Sequence, residues 1–333
     1  MSIADRQSVA VVLCGPLRTF EQTAPSLLRY VAHSSEVKLF YFGPAQTDNP
    51  ATDYGGKLSI LGAFRRNPKS EVNATLPADP GALQRAYGER LAGFAFHDRA
   101  QSEFVDAAER VIRKEDWLMG LHPYRMFSMA YNIEGGLRLM LEHESKTGQR
   151  FDVVVVTRPD LAFYAPLSFA VRPGEVHLPA SEGFDSVGRP RRGNATVFFY
   201  KNVTTGDLIP GGRTPTFNDQ LMMIDRGAVG SFLSFGEALP RYIAAKVPLS
   251  PETLLYLHLV GRAGLAALTH PEWVYEIHRS GAPLIFSLAD TPDINLVDRR
   301  HPAAIALRRR RPFYHAARDL RNFARGLLHR ALG

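Results

Sequence analysis

The chain has 333 residues and 45% of them are hydrophobic, which is enough for one large α/β domain or two ordinary ones and excludes an intrinsically disordered protein. The single cysteine excludes a disulfide framework and a cysteine-rich zinc site, and no stretch reaches the ~18 apolar residues of a membrane-spanning helix. The net charge of +7 is local, because residues 299–333 carry ten arginines against one aspartate and residues 1–298 sum to −2.

The first predicted elements form a β-α-β unit. The apolar run Val9 to Leu13 predicts a buried strand, and Val37 to Phe42 predicts the next one. Thr23 is the predicted N-cap of the helix between them, with Pro25 in its first turn. Two strands joined in this way run parallel with a right-handed crossover.

Three helices are predicted next. Two short ones cover Ala82 to Leu91 and Glu103 to Lys114, and a longer one runs from Tyr124 to Ser145. Gly135 and Gly136 are adjacent in the long helix, and glycine has a low helix propensity. We therefore expect a weak point in the middle of that helix.

The segment from Phe151 to Asp160 reads FDVVVVTRPD and is the most informative in the chain. Its valines leave no polar face, which is typical of a parallel strand covered by helices on both sides. Ligands bind at the carboxyl ends of such strands. Arg158 and Asp160, separated by a stiff proline, therefore form a candidate polar site, and a salt bridge at a strand end is the alternative interpretation.

Short strands and turns are predicted in the next part of the chain. Glu175 to Leu178, Thr196 to Tyr200 and Leu221 to Ile224 are strand-like. The polar loop Phe217 to Gln220 precedes the last of them. A further helix, from Ser250 to Leu259, begins with Ser as its N-cap and Pro at its first position.

Together these elements predict an α/β protein. We expect a mostly parallel central sheet with helices on both faces, a small β-rich region and a basic C-terminal helix. The chain shows no internal repeat or low-complexity linker, so the simplest division is one body, residues 1–285, and a tail, residues 286–333.

The arginine-rich tail predicts a basic amphipathic helix, which binds an anionic membrane surface or, alternatively, packs its apolar stripe against the protein's own body. No zinc finger, aromatic RNA-binding signature or second basic patch supports nucleic-acid binding. The only early apolar run is too short for a secretory signal, so we expect a cytoplasmic protein that is peripheral on the inner face of the cytoplasmic membrane. The apolar positions at helical spacing are Phe313, Ala316, Ala317, Leu320, Phe323, Ala324, Leu327 and Leu328.

The order of several short motifs resembles that of a known enzyme group. GPLRTF at Gly15 to Phe20 follows the first strand, and RPDLAFYAPL at Arg158 to Leu167 ends the valine strand. FNDQLMMID at Phe217 to Asp225 and SPETLLYLHLVG at Ser250 to Gly261 come later. Over about residues 9–262 this order resembles the glycosyltransferases of bacterial surface-polysaccharide and lipopolysaccharide synthesis with a GT-A-type fold. The resemblance implies a Rossmann-like fold, a nucleotide-sugar donor at the carboxyl ends of the strands, and a glycan or lipid-linked acceptor bound by the later β region.

The resemblance also implies how the donor is held. GT-A enzymes usually carry an Asp-x-Asp metal motif at the end of a central strand, where this chain has Arg158, Pro159 and Asp160. Asp160 is thus the candidate ligand of Mn²⁺ or Mg²⁺ or of the donor sugar hydroxyls, and Arg158 is the candidate phosphate ligand. Because the first acid is replaced by arginine, metal-independent action is the alternative.

The loop after the first strand is the second part of the candidate site. Gly15 permits close approach of the backbone to a ligand, and the helix that follows attracts anions at its N-terminus, so Arg18 would pair with the nucleotide. A Gly-Pro turn also has an ordinary conformational explanation. Both loops follow parallel strands, so Gly15, Arg18, Arg158 and Asp160 are expected at one edge of the sheet.

Asp219 is the candidate general base, which takes the proton from an acceptor hydroxyl as that hydroxyl attacks the donor sugar. Asn218 and Gln220 beside it are candidate partners of sugar hydroxyls. The alternative is that Asp219 only turns or caps the chain. The histidines are scattered and show no closely spaced metal pair. The resemblance implies that His270 or His278 could complete a metal site late in the fold, and an ordinary structural role is the alternative.

Two functions are open at this point. One is a glycosyltransferase, which Arg18, Asp160 and Asp219 favour. The other is a non-catalytic nucleotide- or glycan-binding protein that retains the same fold, which the missing first acid of the metal motif favours.

Overall fold

The computed structural model of the protein describes residues 7–34, 36–48, 75–111, 123–179, 184–185, 199–201, 208–210, 217–245, 247, 250–270 and 272–278. The predicted tail, residues 286–333, lies outside the described residues, so the division into body and tail stays a prediction. None of the described helices is long and apolar enough to cross a membrane.

The described part of the chain contains strands and helices. The strands are β1 Val9–Cys14, β2 Val37–Pro44, β3 Gln46–Asp48, β4 Thr75–Pro77, β5 Leu91–His97, β6 Val153–Thr157, β7 Leu161–Phe163, β8 Glu175–Pro179, β9 Phe184–Asp185, β10 Phe199–Lys201, β11 Leu208–Pro210, β12 Leu221–Asp225, β13 Ala266–His270 and β14 Tyr275–Ile277. The helices are α1 Phe20–Tyr30, α2 Pro80–Tyr87, α3 Gln101–Val111, α4 Tyr124–Thr147, α5 Val229–Leu233, α6 Phe235–Ala244 and α7 Pro251–Tyr256, which continues as a π-helix over Leu257–Arg262.

Seven strands form the central sheet in the order β13-β8-β12-β6-β1-β2-β5. β1 pairs in parallel with β2 and β6, β2 with β5, and β8 with β13. β12 is antiparallel to both of its neighbours, β6 and β8, so β8 and β13 run in the same direction as β6. The predicted mostly parallel α/β sheet is confirmed, and the carboxyl ends of six of its strands share one edge.

The two faces of this sheet carry separate cores. Val154 and Val156 of β6 pack with residues of α4, α5, α6 and α7 on one face. Val153 and Val155 pack with residues of α1 and α2 on the other face. The valines are at most 2% exposed, so β6 is covered on both sides as its sequence predicts.

Gly135 and Gly136 are not a weak point, because α4 is continuous from Tyr124 to Thr147. A Cβ on Gly135 would lie 2.3 Å from Cε1 of Phe42, and a Cβ on Gly136 would lie 2.5 Å from Cγ1 of Val12. The glycines let α4 approach β1 and β2 closely, and this packing outweighs their low helix propensity.

The helix after β1 begins earlier than predicted. It starts at Phe20 with Thr19 at the N-cap position, so the prediction that Thr23 is the N-cap was wrong and Pro25 lies inside the helix. The Thr23 hydroxyl instead donates to the carbonyl oxygen of Pro159 at 2.6 Å, as well as to that of Phe20. A residue type that suits an N-cap is used here to join α1 to the loop after β6.

Several strands were not predicted. The expected helix over Ala82 to Leu91 ends as α2 at Tyr87, and β5 follows at the edge of the sheet. A small three-stranded sheet has the order β7-β14-β9, and β10 pairs with β11 and β3 with β4 in two antiparallel ribbons. The predicted β-rich region is therefore present, although β14 was missed.

Candidate functional site

The loop after β1 is fixed to the end of β2. The Gly15 N–H donates to the carbonyl oxygen of Phe42 at 3.0 Å, and the Gly15 carbonyl oxygen accepts from the Tyr41 hydroxyl at 3.0 Å. Gly15 has a φ of +100°, and among the described residues no atom lies within 4 Å of the position a Cβ would take. Its left-handed conformation, rather than crowding, requires glycine here.

Arg18 has a φ of +48° and is the only non-glycine residue with a positive φ among the described residues. Its backbone N–H donates to Oγ1 of Thr47 at 2.6 Å, which ties the loop to the segment after β2. A left-handed arginine costs about 1–3 kcal/mol, and such conformations cluster at functional sites. The surrounding contacts thus hold the Arg18 side chain in a fixed direction, toward Asp160.

Arg18 and Arg158 converge on the Asp160 carboxylate. Arg18 Nη1 lies 3.1 Å from Oδ2 of Asp160, and Arg158 donates from Nε to Oδ1 at 2.8 Å and from Nη2 to Oδ2 at 2.6 Å. The Asp160 side chain is fully buried, whereas those of Arg18 and Arg158 are 24% and 19% exposed. The sequence prediction that these two loops meet at one edge is confirmed, and two cations around one anion leave an excess of positive charge there.

The backbone of the loop after β6 is supported from beneath. The carbonyl oxygen of Asp160 accepts the backbone N–H of His278 at 2.8 Å, and that of Pro159 accepts the Thr23 hydroxyl. The Thr19 hydroxyl donates to the His278 carbonyl oxygen. The loop that carries Arg158 and Asp160 is therefore fixed by α1 on one side and by the chain just after β14 on the other.

A buried polar chain lies beneath the arginines and was not predicted. The Tyr164 hydroxyl donates to Oε2 of Glu276 at 2.6 Å, and Oε1 of Glu276 lies 3.3 Å from Nδ1 of His278. The other ring nitrogen of His278 bonds to the side-chain oxygen of Gln22 in α1. Glu276 and His278 are both fully buried. The segment Tyr275 to His278 is too short for its sequence to predict that it lies beside the loop of Asp160, more than 100 residues earlier.

Asp219 lies at the same edge of the sheet. Leu221 pairs with Thr157 in the antiparallel ladder, and the Thr157 hydroxyl donates to the backbone oxygen of Gln220 at 3.2 Å. The loop that carries Asp219 therefore begins β12 beside the end of β6, next to Arg158. Asp219 is partly buried.

The two amides on either side of Asp219 point into the protein. Asn218 Nδ2 donates to the hydroxyl of Tyr275 at 2.9 Å, and that hydroxyl donates to Oε1 of Gln220 at 3.0 Å. Asn218 is 1% exposed and Gln220 is 5% exposed. These contacts fix the backbone on both sides of Asp219, and a sugar contact of either amide stays a prediction.

The described residues do not fit a two-carboxylate metal site. Among them, no group of three or more His, Cys, Asp or Glu side chains is placed to hold a metal ion. The Asp160 carboxylate is already bound by two guanidiniums, so a divalent cation there would face two positive charges at close range. A metal role for Asp160 stays a prediction that this geometry does not support.

The arrangement is suited to binding an anion. Guanidinium groups and a loop followed by a helix N-terminus supply fixed positive potential at the carboxyl edge of a parallel sheet. Asp219 supplies a carboxylate on the neighbouring loop. The arginines and a carboxylate that can accept a proton thus lie on adjacent loops at one edge of the sheet.

No family model and no curated protein matches the sequence. Among solved structures, the chain is similar to core-mannan synthase A from Aspergillus fumigatus in an Mn/GDP form, with a TM-score of 0.41, 11% identity, and coverage of 85% of this chain and 79% of that chain. It is also similar to mouse xyloside xylosyltransferase 1 in its apo form, with a TM-score of 0.34, 12% identity, and coverage of 77% of this chain and 82% of that chain. Both are glycosyltransferases, the class that the sequence resemblance named. At these scores the likeness alone assigns neither an activity nor a cofactor to this chain.

Proposed function

We propose that the protein is a glycosyltransferase that moves a sugar from a nucleotide-diphosphate-sugar to a hydroxyl of a glycan or lipid-linked acceptor in surface-polysaccharide synthesis. The observation that carries this proposal is the convergence of Arg18 and Arg158 on Asp160 at the carboxyl edge of the sheet. A departing nucleoside diphosphate develops negative charge, and cations fixed in advance at that point stabilise the transition state.

In this proposal the two arginines bind the pyrophosphate and Asp160 orients them. Arg158 uses Nε and Nη2 for Asp160, so its Nη1 edge is the one proposed to contact a phosphate oxygen. Arg18 would contact the pyrophosphate from the loop after β1. Asp160 then acts through the arginines and not on the substrate.

The acceptor is activated, in this proposal, by Asp219. A carboxylate at a partly buried position accepts the proton of the attacking hydroxyl as the new glycosidic bond forms and the bond to the nucleoside diphosphate breaks. Tyr275, by holding the residues on either side, fixes where Asp219 points. Contacts of Asn218 and Gln220 with sugar hydroxyls are the least supported part, because both amides already bond to Tyr275.

A cytoplasmic location with membrane contact through the tail is part of the proposal. Its support is the sequence alone, where ten arginines in residues 299–333 interleave with apolar residues at helical spacing. A tail of this kind would bring the active site near a lipid-linked acceptor.

The alternative function is a nucleotide- or glycan-binding protein without catalysis. It is favoured by Arg158, which stands where the metal motif of GT-A enzymes has its first acid. The two functions differ in turnover and not in ligand binding.

A donor panel tests the proposal. Purified protein is incubated with UDP- and GDP-sugars, with Mn²⁺ or with EDTA, and both donor binding and released nucleotide are measured. The proposal expects one donor to bind and turn over, and EDTA to leave turnover largely intact because arginines supply the positive charge.

The variant Asp219→Asn separates the two functions. For the enzyme, we expect its release of nucleotide to fall about 10²–10⁴-fold while donor binding is unchanged. Arg138→Gln, in an exposed pair with Glu134, is the matched control and should change neither. Donor binding without turnover in the unaltered protein would support the alternative. Absence of any donor binding would contradict both the enzyme and a nucleotide-binding protein.

A further inference from the structure

His177 and His270, 93 positions apart, face each other across β8 and β13. Nδ1 of His177 lies 2.9 Å from Nε2 of His270. The ring centroids are 4.9 Å apart and the ring planes differ by 18°, so the two rings are nearly parallel. One nitrogen of each ring therefore lies close to one nitrogen of the other.

A carboxylate holds the outer nitrogen of each ring. Glu175 Oε2 lies 2.9 Å from Nε2 of His177, and Glu272 Oε1 lies 2.6 Å from Nδ1 of His270. A carboxylate only accepts hydrogen bonds, so both outer nitrogens are donors. The indole ring of Trp273 lies parallel to His270 with centroids 4.5 Å apart and fixes the plane of that ring.

We propose that His177 and His270 form a binding site for a divalent transition-metal ion such as Zn²⁺, held by the two nitrogens that face each other, Nδ1 of His177 and Nε2 of His270. Metal-binding histidines commonly donate their other N–H to a carboxylate, which is the arrangement of Glu175 and Glu272 here. Tetrahedral zinc with Zn–N bonds of about 2.0–2.1 Å places two nitrogens about 3.3 Å apart. These two nitrogens, 2.9 Å apart, need to separate by about 0.4 Å, and the rings need to tilt so that both lone pairs point at the ion.

The proposed site is separate from the arginine cluster and does not depend on the proposed function. It joins the edge strand β13 to β8, and the ring of His177 is almost fully buried while His270 is 23% exposed. Because no third protein ligand accompanies the pair among the residues that the structure describes, water completes the coordination.

Calorimetric titration of the metal-free full chain with Zn²⁺ tests this site. We expect saturable binding of the ion. His270→Gln should abolish this binding, and Glu272→Gln should weaken it about 10–100-fold. Cu²⁺ bound at the same site should show two nitrogen couplings by electron paramagnetic resonance.

His33→Gln, at an exposed histidine outside the pair, is the matched control and should bind Zn²⁺ like the unaltered protein. Glu272 is 56% exposed, so its variant keeps the test decisive even if His270→Gln is found unfolded by circular dichroism. The proposal is overturned if the unaltered protein shows no saturable binding, or if Glu272→Gln and His270→Gln bind Zn²⁺ as tightly as His33→Gln.

Discussion

Nη1 of Arg18 lies 3.1 Å from Oδ2 of Asp160, although the two residues are 142 positions apart in the chain. This contact joins the loop after β1 to the loop after β6, and Arg158 approaches the same carboxylate from its own loop. One buried anion therefore organises two partly exposed cations. Substitution of Asp160 and substitution of one of the arginines therefore have different predicted consequences.

Asp160→Asn should lower the free energy of unfolding by about 3 kcal/mol. This is the lower end of the range for breaking a buried ion pair, because the arginines retain some contact with water. The substitution keeps the shape of the side chain but leaves two guanidiniums without their anion. Urea denaturation measures the change. Glu134→Gln, in an exposed pair, should change stability by less than about 1 kcal/mol. Equal stability of Asp160→Asn and the unaltered protein would show that the cluster does not hold the loops together.

Arg158→Lys should weaken donor binding about tenfold or more, because an ammonium cannot bind Asp160 and a phosphate oxygen together as the planar guanidinium does. The dissociation constant of the nucleotide-sugar, measured by calorimetry, is the readout. Arg138→Gln should bind the donor normally. Unchanged affinity of Arg158→Lys would remove Arg158 from the proposed pyrophosphate site.

Tyr275→Phe should lower stability by about 1–3 kcal/mol, because it leaves the buried amides of Asn218 and Gln220 without their shared hydroxyl. It should also reduce transfer more than donor binding, since Asp219 lies between those amides. Comparing kcat with the donor dissociation constant checks this. A loss of stability with normal kcat would mean that the loop does not position the general base.

Burial lowers the pKa of His258 below its ordinary value, and a backbone bond to the Ser231 oxygen opposes this. The unfolded chain therefore takes up a proton as pH falls through about 6.5, where the folded protein does not, so the stabilising contribution is present above that pH and lost below it. We expect His258→Gln to be destabilised relative to the unaltered protein at pH 7.5 and less so at pH 5.5, by urea denaturation. A difference that is the same at both values would contradict this.

A chain truncated after Val297 should lose binding to vesicles that contain anionic lipid while keeping donor affinity. The reason is that residues 299–333 hold ten of the arginines, each contributing about 1 kcal/mol near an anionic surface. Co-sedimentation with anionic and with neutral vesicles is the measurement. If the truncated and full chains sediment alike with anionic vesicles, the tail serves another purpose.

Sequence patterns predicted the elements whose neighbouring residues are buried to the same degree, such as β6. The valines of β6 have no polar face, and the polar residues that follow them lie at the sheet edge as expected. The meeting of Arg18 with Asp160 followed from a general rule about parallel strands and not from any local motif.

Other features depended on contacts that are distant in the chain. Thr23 is a residue type that commonly caps helices, but its hydroxyl donates to the carbonyl oxygen of Pro159, far along the chain. Glu276 and His278 are buried beneath the site, the first in a strand of three residues and the second just after it, and this segment is too short to show periodicity. The pairing of His177 with His270 is set by the neighbouring positions of β8 and β13, which no short spacing encodes.

The central claim is that one pocket at the carboxyl edge of the sheet binds a nucleotide-diphosphate-sugar. A crystal structure of the protein soaked with UDP- and GDP-sugars tests it most directly. We predict a pyrophosphate in contact with Arg18 and Arg158, with the sugar directed toward Asp219. A nucleotide bound elsewhere, with the arginines still closed on Asp160 alone, would contradict the claim.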